Sequence, residues 1–157
     1  MIPGDIPPLV MKKLLKIPEE DRNSLLEDLW ALPVNQNKLA EIVDALVVLS
    51  KKRNCPVFHV WIELKEKVKN VGDKGHALEM VRDILRGWRY PRLVAQEKEF
   101  TAHLKKIGIP SFMSVNPSPY FEEPWVEMKM RIENMEDVKR AAQIFQKEEW
   151  KGLFKIL

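Results

Sequence analysis

Eleven prolines divide this 157-residue chain, and they constrain its fold more than any other feature. Proline has no amide donor and clashes with the turn before it, so each one marks where a helix must start, stop or bend. Between the breaks, apolar residues recur every three to four positions as far as Gly108, the spacing of a helix with one buried face. After Pro110 the period shortens to two along Trp125-Val-Glu-Met-Lys-Met-Arg-Ile-Glu133, the alternation of a half-buried strand. Such a chain is expected to be mainly α, a compact bundle of about six helices with a small C-terminal β-β-α unit, and so α+β in class.

The first predicted helix starts at Pro7-Pro8, carries Leu9, Val10, Leu14 and Leu15, and is interrupted at Pro18. Glu19, Glu20 and Asp21 complement the N-terminal dipole of a second, whose stripe of Leu25, Leu26, Leu29, Trp30 and Leu32 ends at Pro33. Asn35 or Asn37 can cap a third, with Leu39, Ile42, Val43, Leu46, Val47 and Leu49 inward. A fourth is predicted over about residues 56 to 70 on Val57, Val60, Trp61, Leu64 and Val68. The loop from Asn70 to Gly75 precedes a fifth, built on Ala77, Leu78, Val81, Ile84, Leu85 and Trp88 and ended or bent at Pro91. Leu93, Ala95, Phe100, Leu104 and Ile107 support a sixth, stopped by Gly108 and Pro110.

Residues 1–108 are therefore expected to form a helical domain, and 109–157 a small α+β unit packed on the first or on a second copy. In that unit Ile109 to Val115 is the predicted partner of the 125–133 strand, and the proline-rich stretch 116–124 connects them. Asn134 caps a helix with Val138, Ala141, Ala142, Ile144 and Phe145, and Leu153 to Leu157 is a candidate last strand. Two strands alone are marginal, so the unit must pack on its helix, on the bundle or on another copy.

A hydrophobic content of 45% with 26 basic and 23 acidic residues excludes a disordered chain. No window approaches the roughly 18 to 20 apolar residues of a bilayer span, and Met1 to Pro8 lacks a basic region followed by an apolar one, so no membrane association is expected. The cytoplasm is the expected compartment, and the lone Cys55, which cannot form an intramolecular disulfide, is compatible with it.

Charge is unevenly placed. Five basic residues stand against eight acidic ones up to Ser50, fourteen against seven over 51–110, and seven against eight from Ser111 onward. Within the basic middle, Arg82, Arg86 and Arg89 are spaced by four and three, so they share one helical face, and Arg92 follows Tyr90-Pro91. A guanidinium row beside a tyrosine suits phosphate oxygens, through charge-assisted and bidentate hydrogen bonds. The alternative is a solvated face whose arginines pair with Glu79 or Asp83. Lys51, Lys52 and Arg53 form a second basic cluster, which can contact phosphate or merely complement the helix C-terminus.

Sequence signals of catalysis are weak. Cys55, His59 and Glu63 recur every four residues and could share a face, but no second Cys or His pair supplies further metal ligands. Glu122-Glu123 fall in a proline-rich loop, where solvation or capping is expected in place of acid-base work. The phosphate-cradling and nucleophile-elbow glycine patterns are absent from the sequence. No enzyme activity, no cofactor, no metal site and no small-molecule substrate is expected.

Four short stretches carry a family resemblance: Ile17-Pro-Glu-Glu-Asp-Arg22, Leu32-Pro-Val-Asn-Gln-Asn-Lys-Leu39, Arg89-Tyr-Pro-Arg-Leu93 and Pro119-Tyr-Phe-Glu122. In this order the chain resembles the region downstream of the N-terminal domain of bacterial ParB-like partition proteins. The resemblance implies a DNA-associated helical segment holding a helix-turn-helix, followed by a C-terminal unit of unsettled role. The second and third helices would be that motif, with Asn35, Gln36, Asn37 and Lys38 at the end that meets base edges. The Gly-Glu-Arg-type nucleotide motif of the partition N-terminal domain is absent, so neither nucleotide binding, nuclease activity nor clamp behaviour carries over. The expectation is a non-enzymatic module that binds the backbone of double-stranded DNA through Arg82, Arg86, Arg89, Arg92, Lys51, Lys52 and Arg53, and that forms homo-oligomers. The alternative is a protein-interaction or oligomerisation module with no nucleic-acid role.

Overall fold

The computed structural model describes Ile6 and residues 8–157 of the chain, except for the side chain of Leu9. Pro7 and the Leu9 side chain, assigned above to the first helix, and the leader reading of residues 1–5 lie outside the described residues. The fold is mainly α with one two-stranded antiparallel sheet, as the change of period requires. Its elements run α1 (Pro8–Leu14), α2 (Glu19–Trp30), α3 (Gln36–Arg53), α4 (Val57–Val68), α5 (Lys74–Arg89), α6 (Pro91–Ile107), β1 (Met113–Pro117), β2 (Val126–Met130), α7 (Met135–Phe145) and α8 (Trp150–Leu153). They divide into two units, Met1–Pro91 and Arg92–Leu157. None of the described helices is long and apolar enough to cross a membrane.

The first unit is built around α3. The Asn35 side chain accepts a hydrogen bond from the Lys38 amide at 2.9 Å and so caps the helix, while Asn54 ends it in the left-handed conformation with φ 51°. Leu39, Ile42, Val43, Ala45, Leu46 and Leu49 are all buried along its length, and α3 packs against α1, α4 and α5 while α2 packs on α4. Polar contacts fix the outer helices in place. Asp28 of α2 accepts from Trp61 Nε1 at 2.8 Å and from Lys65 Nζ at 2.7 Å, both on α4, and Asp73 caps α5 by accepting from the His76 amide at 2.7 Å.

The second unit gathers Phe100 and Ile107 of α6, Met113 and Val115 of β1, Ala141 and Ile144 of α7, and Trp150 and Leu153 of α8 into its own core. The sequence-based boundary at residue 108 lies at the far end of α6, whereas the apolar face of this helix is buried with the strands, and the division falls after its first residue, Pro91. Gly108 takes φ +73° and closes α6, its amide bonded to Leu104 O at 3.0 Å. β1 begins at Met113, four residues after the expected start, because the Met113 amide turns back to Pro110 O at 3.0 Å. The candidate last strand is instead α8 and a following turn: the amides of Phe154 and Ile156 bond to Trp150 O and Leu153 O, so these donors close locally.

Replacing Leu46, which is fully buried, by Ala is expected to cost about 2–5 kcal/mol through lost burial and the cavity left behind. Leu15 is 64% exposed, and its Ala variant is expected to stay within about 0.5 kcal/mol of the parent; urea titration of the three proteins measures both.

Candidate nucleic-acid interface

The α5 residues proposed to meet phosphate do share a face, on the flank of the buried Ala77, Leu78, Val81 and Leu85. That face lies along α3, which carries acids at matching positions. Arg82 donates through Nε and Nη2 to Glu41 Oε2 at 3.1 and 3.0 Å, and through Nη1 to Glu79 Oε2 at 2.7 Å. Arg89 donates from Nη1 to Asp44 Oδ2 at 2.8 Å, and its guanidinium carbon lies 5.1 Å from the Tyr90 ring centroid. The tyrosine beside the guanidinium row thus lies against Arg89 itself. Arg89 Nε is buried without a partner, a cost offset by the charged bond at the tip of the same group. Arg86 is exposed on this helix, and Arg92 is exposed in the second unit, at the start of α6.

The same pairing reaches the N-terminal end of α3. Gln36 and Asn37 are exposed in its first turn, but Lys38 directs Nζ to Glu79 Oε1 at 2.8 Å. Lys38, Glu41 and Asp44 therefore meet Glu79, Arg82 and Arg89 in rising order along both helices. The helix-turn-helix candidate exists as α2, the 31–35 turn and α3. Glu41 and Asp44 nevertheless follow Asn37 by four and seven residues and so share its helical face. A helix laid in a groove on that face brings carboxylates toward phosphates, which opposes binding.

At the other end of α3, Arg53 Nη1 bonds to Glu63 Oε2 at 2.7 Å and its guanidinium covers the Trp88 ring at 4.4 Å. Lys51 and Lys52 are exposed. Of the cations proposed for phosphate contact, Lys38, Arg53, Arg82 and Arg89 are thus engaged by carboxylates of the first unit.

These partners perturb the titrations in a consistent direction. The Lys13 ammonium, hydrogen-bonded to Asp44 at 2.5 Å, holds that carboxyl below its ordinary value, against the opposing effect of burial and with Arg89 adding to it. Lys38 likewise lowers Glu79, helped by Arg82, and Glu41 raises Arg82 further above its already high value. Sequence inspection found Glu79 as a partner of Arg82 but missed Glu41 and Asp44, which lie 41 and 45 residues from the arginines they hold. A usable signal was present: Lys38, Glu41 and Asp44 repeat every three residues along one flank of a helix whose other side is apolar.

The remaining candidates carry no assembled chemistry. α4 starts at Val57, so Cys55 precedes it and packs half-buried against the first core, its carbonyl accepting from Ser50 Oγ at 2.5 Å. His59 is exposed and Glu63 is taken by Arg53. Among the described residues no group of three or more His, Cys, Asp or Glu could hold a metal ion. Trp150 is buried, its Nε1 donating to Ile144 O at 2.8 Å, whereas Trp125 is 42% exposed and hydrogen-bonded to the Glu123 carboxylate.

Because the folded-state pKa of Asp44 is depressed, its pairs stabilise the protein above the unfolded carboxylate value and cease to do so as pH falls through the folded one. Asp44→Asn is expected to lower stability by about 1 kcal/mol at neutral pH, and its melting curve should converge on that of the parent once the pH has fallen through the depressed folded-state value; thermal melts from neutral to acid pH measure the difference. No family model, curated protein or solved structure matches this chain.

Proposed function

We propose that this chain is a protein-interaction and oligomerisation module acting through its second unit, with no nucleic-acid role. The observation that carries this reading is where apolar surface remains uncovered. Of the eleven large hydrophobic side chains exposed among the described residues, eight belong to Arg92–Leu157: Tyr120, Trp125, Met130, Ile132, Met135, Val138, Phe145 and Phe154. Uncovered apolar groups at this density are the mark of a contact surface, whereas scattered single ones are ordinary. Three, Trp125, Met130 and Ile132, are on or beside β2 and its following turn, and α7 displays Met135, Val138 and Phe145 around the buried Ala141 and Ile144.

The ion-pair ladder between α3 and α5 supports the same reading by occupying cations that a phosphate surface requires. The competing reading, phosphate contact of the kind the partition-protein resemblance implies, would have to rely on groups such as Lys51 and Lys52.

Fluorescence anisotropy with duplex DNA between 50 and 300 mM salt separates the two, since each neutralised phosphate adds about −0.9 to the log–log slope. The expected result is no binding, or weak binding without a salt slope, together with concentration-dependent association by sedimentation. A slope of several charges, lost in a Lys51→Glu, Lys52→Glu double variant, would overturn the proposal.

A further inference from the structure

The two edges of the small sheet are not equivalent. The Arg131 amide donates to Phe112 O at 2.9 Å and the Ser118 amide to Trp125 O at 3.1 Å. The pairs 112–131, 114–129, 116–127 and 118–125 therefore exchange the ladder bonds, and the backbone groups of the residues between them point out of the sheet. On β1 these are Met113, Val115 and Pro117. Pro117 has no amide hydrogen and that of Met113 is held by Pro110 O, so this edge offers Val115 as its remaining donor. It is blunted in the way natural edge strands commonly are. On β2 the outward residues are Val126, Met128 and Met130, three donors and three acceptors in a row, with no backbone bond to another segment among the described residues. Trp125, Met130 and Ile132, which flank this edge, are 42%, 45% and 42% exposed.

Resting on the interaction reading above, we infer that the free edge of β2 pairs antiparallel with the same edge of a second copy of this chain, with Met128 opposite Met128 on the two-fold axis. The charges along the strand select this register. Centred on Met128, Glu127 of each copy stands opposite Lys129 of the other, Trp125 opposite Arg131, and Val126 opposite Met130. These are attractive or apolar cross-strand pairs throughout. Centring on Glu127 or on Lys129 places like charges on the axis, and centring on Met130 sets Lys129 against Arg131 and Glu127 against Glu133. A centre at Val126 runs Pro124, without an amide hydrogen, into the ladder. A sheet of two strands, marginal by itself, becomes one of four, and the symmetric use of one edge closes the assembly at a dimer.

Cysteine cross-linking of the full chain in a Cys55→Ser background reads the register directly. In the inferred pairing residue 127 faces residue 129 of the partner copy across a Cα separation of about 4.5 Å, within disulfide range. A mixture of Glu127→Cys and Lys129→Cys chains is expected to oxidise to covalent dimer about tenfold faster than either variant alone. Charge reversal supplies a second readout, because both side chains are exposed and the surface ion pair they form within one copy, Lys129 Nζ to Glu127 Oε2 at 3.1 Å, contributes little to stability. Glu127→Lys and Lys129→Glu should each weaken self-association in sedimentation by about tenfold, and the double reversal should restore it. Restoration is not a result that general damage would produce. Lys129→Cys or Glu127→Cys cross-linking alone as fast as the mixture would overturn the inferred register. A chain that stays monomeric across the sedimentation range would overturn the second copy as occupant while leaving a partner of another sequence open. The absence of a nucleic-acid role falls separately, with salt-dependent DNA binding.

Discussion

Removing one stripe of α3 from water organises the first unit. Six residues of this 18-residue helix, from Leu39 to Leu49, are buried, and each large aliphatic among them contributes about 1.5–3 kcal/mol when fully buried. To cover that stripe, α1, α4 and α5 must all lie against the same helix. The flank of α3 is then decided as well. Lys38, Glu41 and Asp44 stand just beside the apolar stripe, so whatever helix seals the core also meets these charges. That helix is α5, and its Arg82 and Arg89 become partners of α3 before they can become partners of an anionic polymer. None of these pairs needs to be strong to have this effect. Half-exposed ion pairs contribute little to stability, yet they orient the guanidinium groups and cancel the local positive potential.

The second unit meets its constraint differently. A two-stranded sheet has only one face to bury, and α6, α7 and α8 cover it through Phe100, Ile107, Ala141, Ile144 and Leu153. The edges are left to local chemistry. On β1, a proline and a turn-bonded amide leave Val115 as the one outward donor; on β2, the alternation of Glu127, Lys129 and Arg131 with apolar residues leaves the backbone row intact. This asymmetry, and the uncovered apolar side chains around it, set this unit apart from the first, whose largest side chains mostly lie in its core.

Much of this architecture was legible beforehand. Prolines 18, 33, 56 and 91 do stand at helix boundaries, Asn35 and Asn134 are caps, and Gly108 closes α6. The inward residues of α2 to α5 follow the predicted stripes, because a 3.6-residue period and its breaks are written in neighbouring positions. The spacing of Arg82, Arg86 and Arg89 on one face was likewise readable. What those side chains face was not, since Glu41 and Asp44 arrive from 41 and 45 residues away. The offset of β1 and the helical end of the chain escaped for a related reason: both depend on which acceptor a given amide reaches, and apolar period does not report that.

The amino-acid order by itself therefore determined the elements, their caps and buried faces, and the change from helix to strand after Pro110. Each of these follows from steric and hydrophobic preferences that act within a few residues. Only the tertiary structure decided that Arg53, Arg82 and Arg89 of the basic middle are held by carboxylates of the first unit, that α6 joins the second core, and that one sheet edge is blunted while the other stays open. Those outcomes depend on electrostatic and hydrogen-bonding partners that are distant in the chain, and such groups acquire neighbours only when burial brings the helices together.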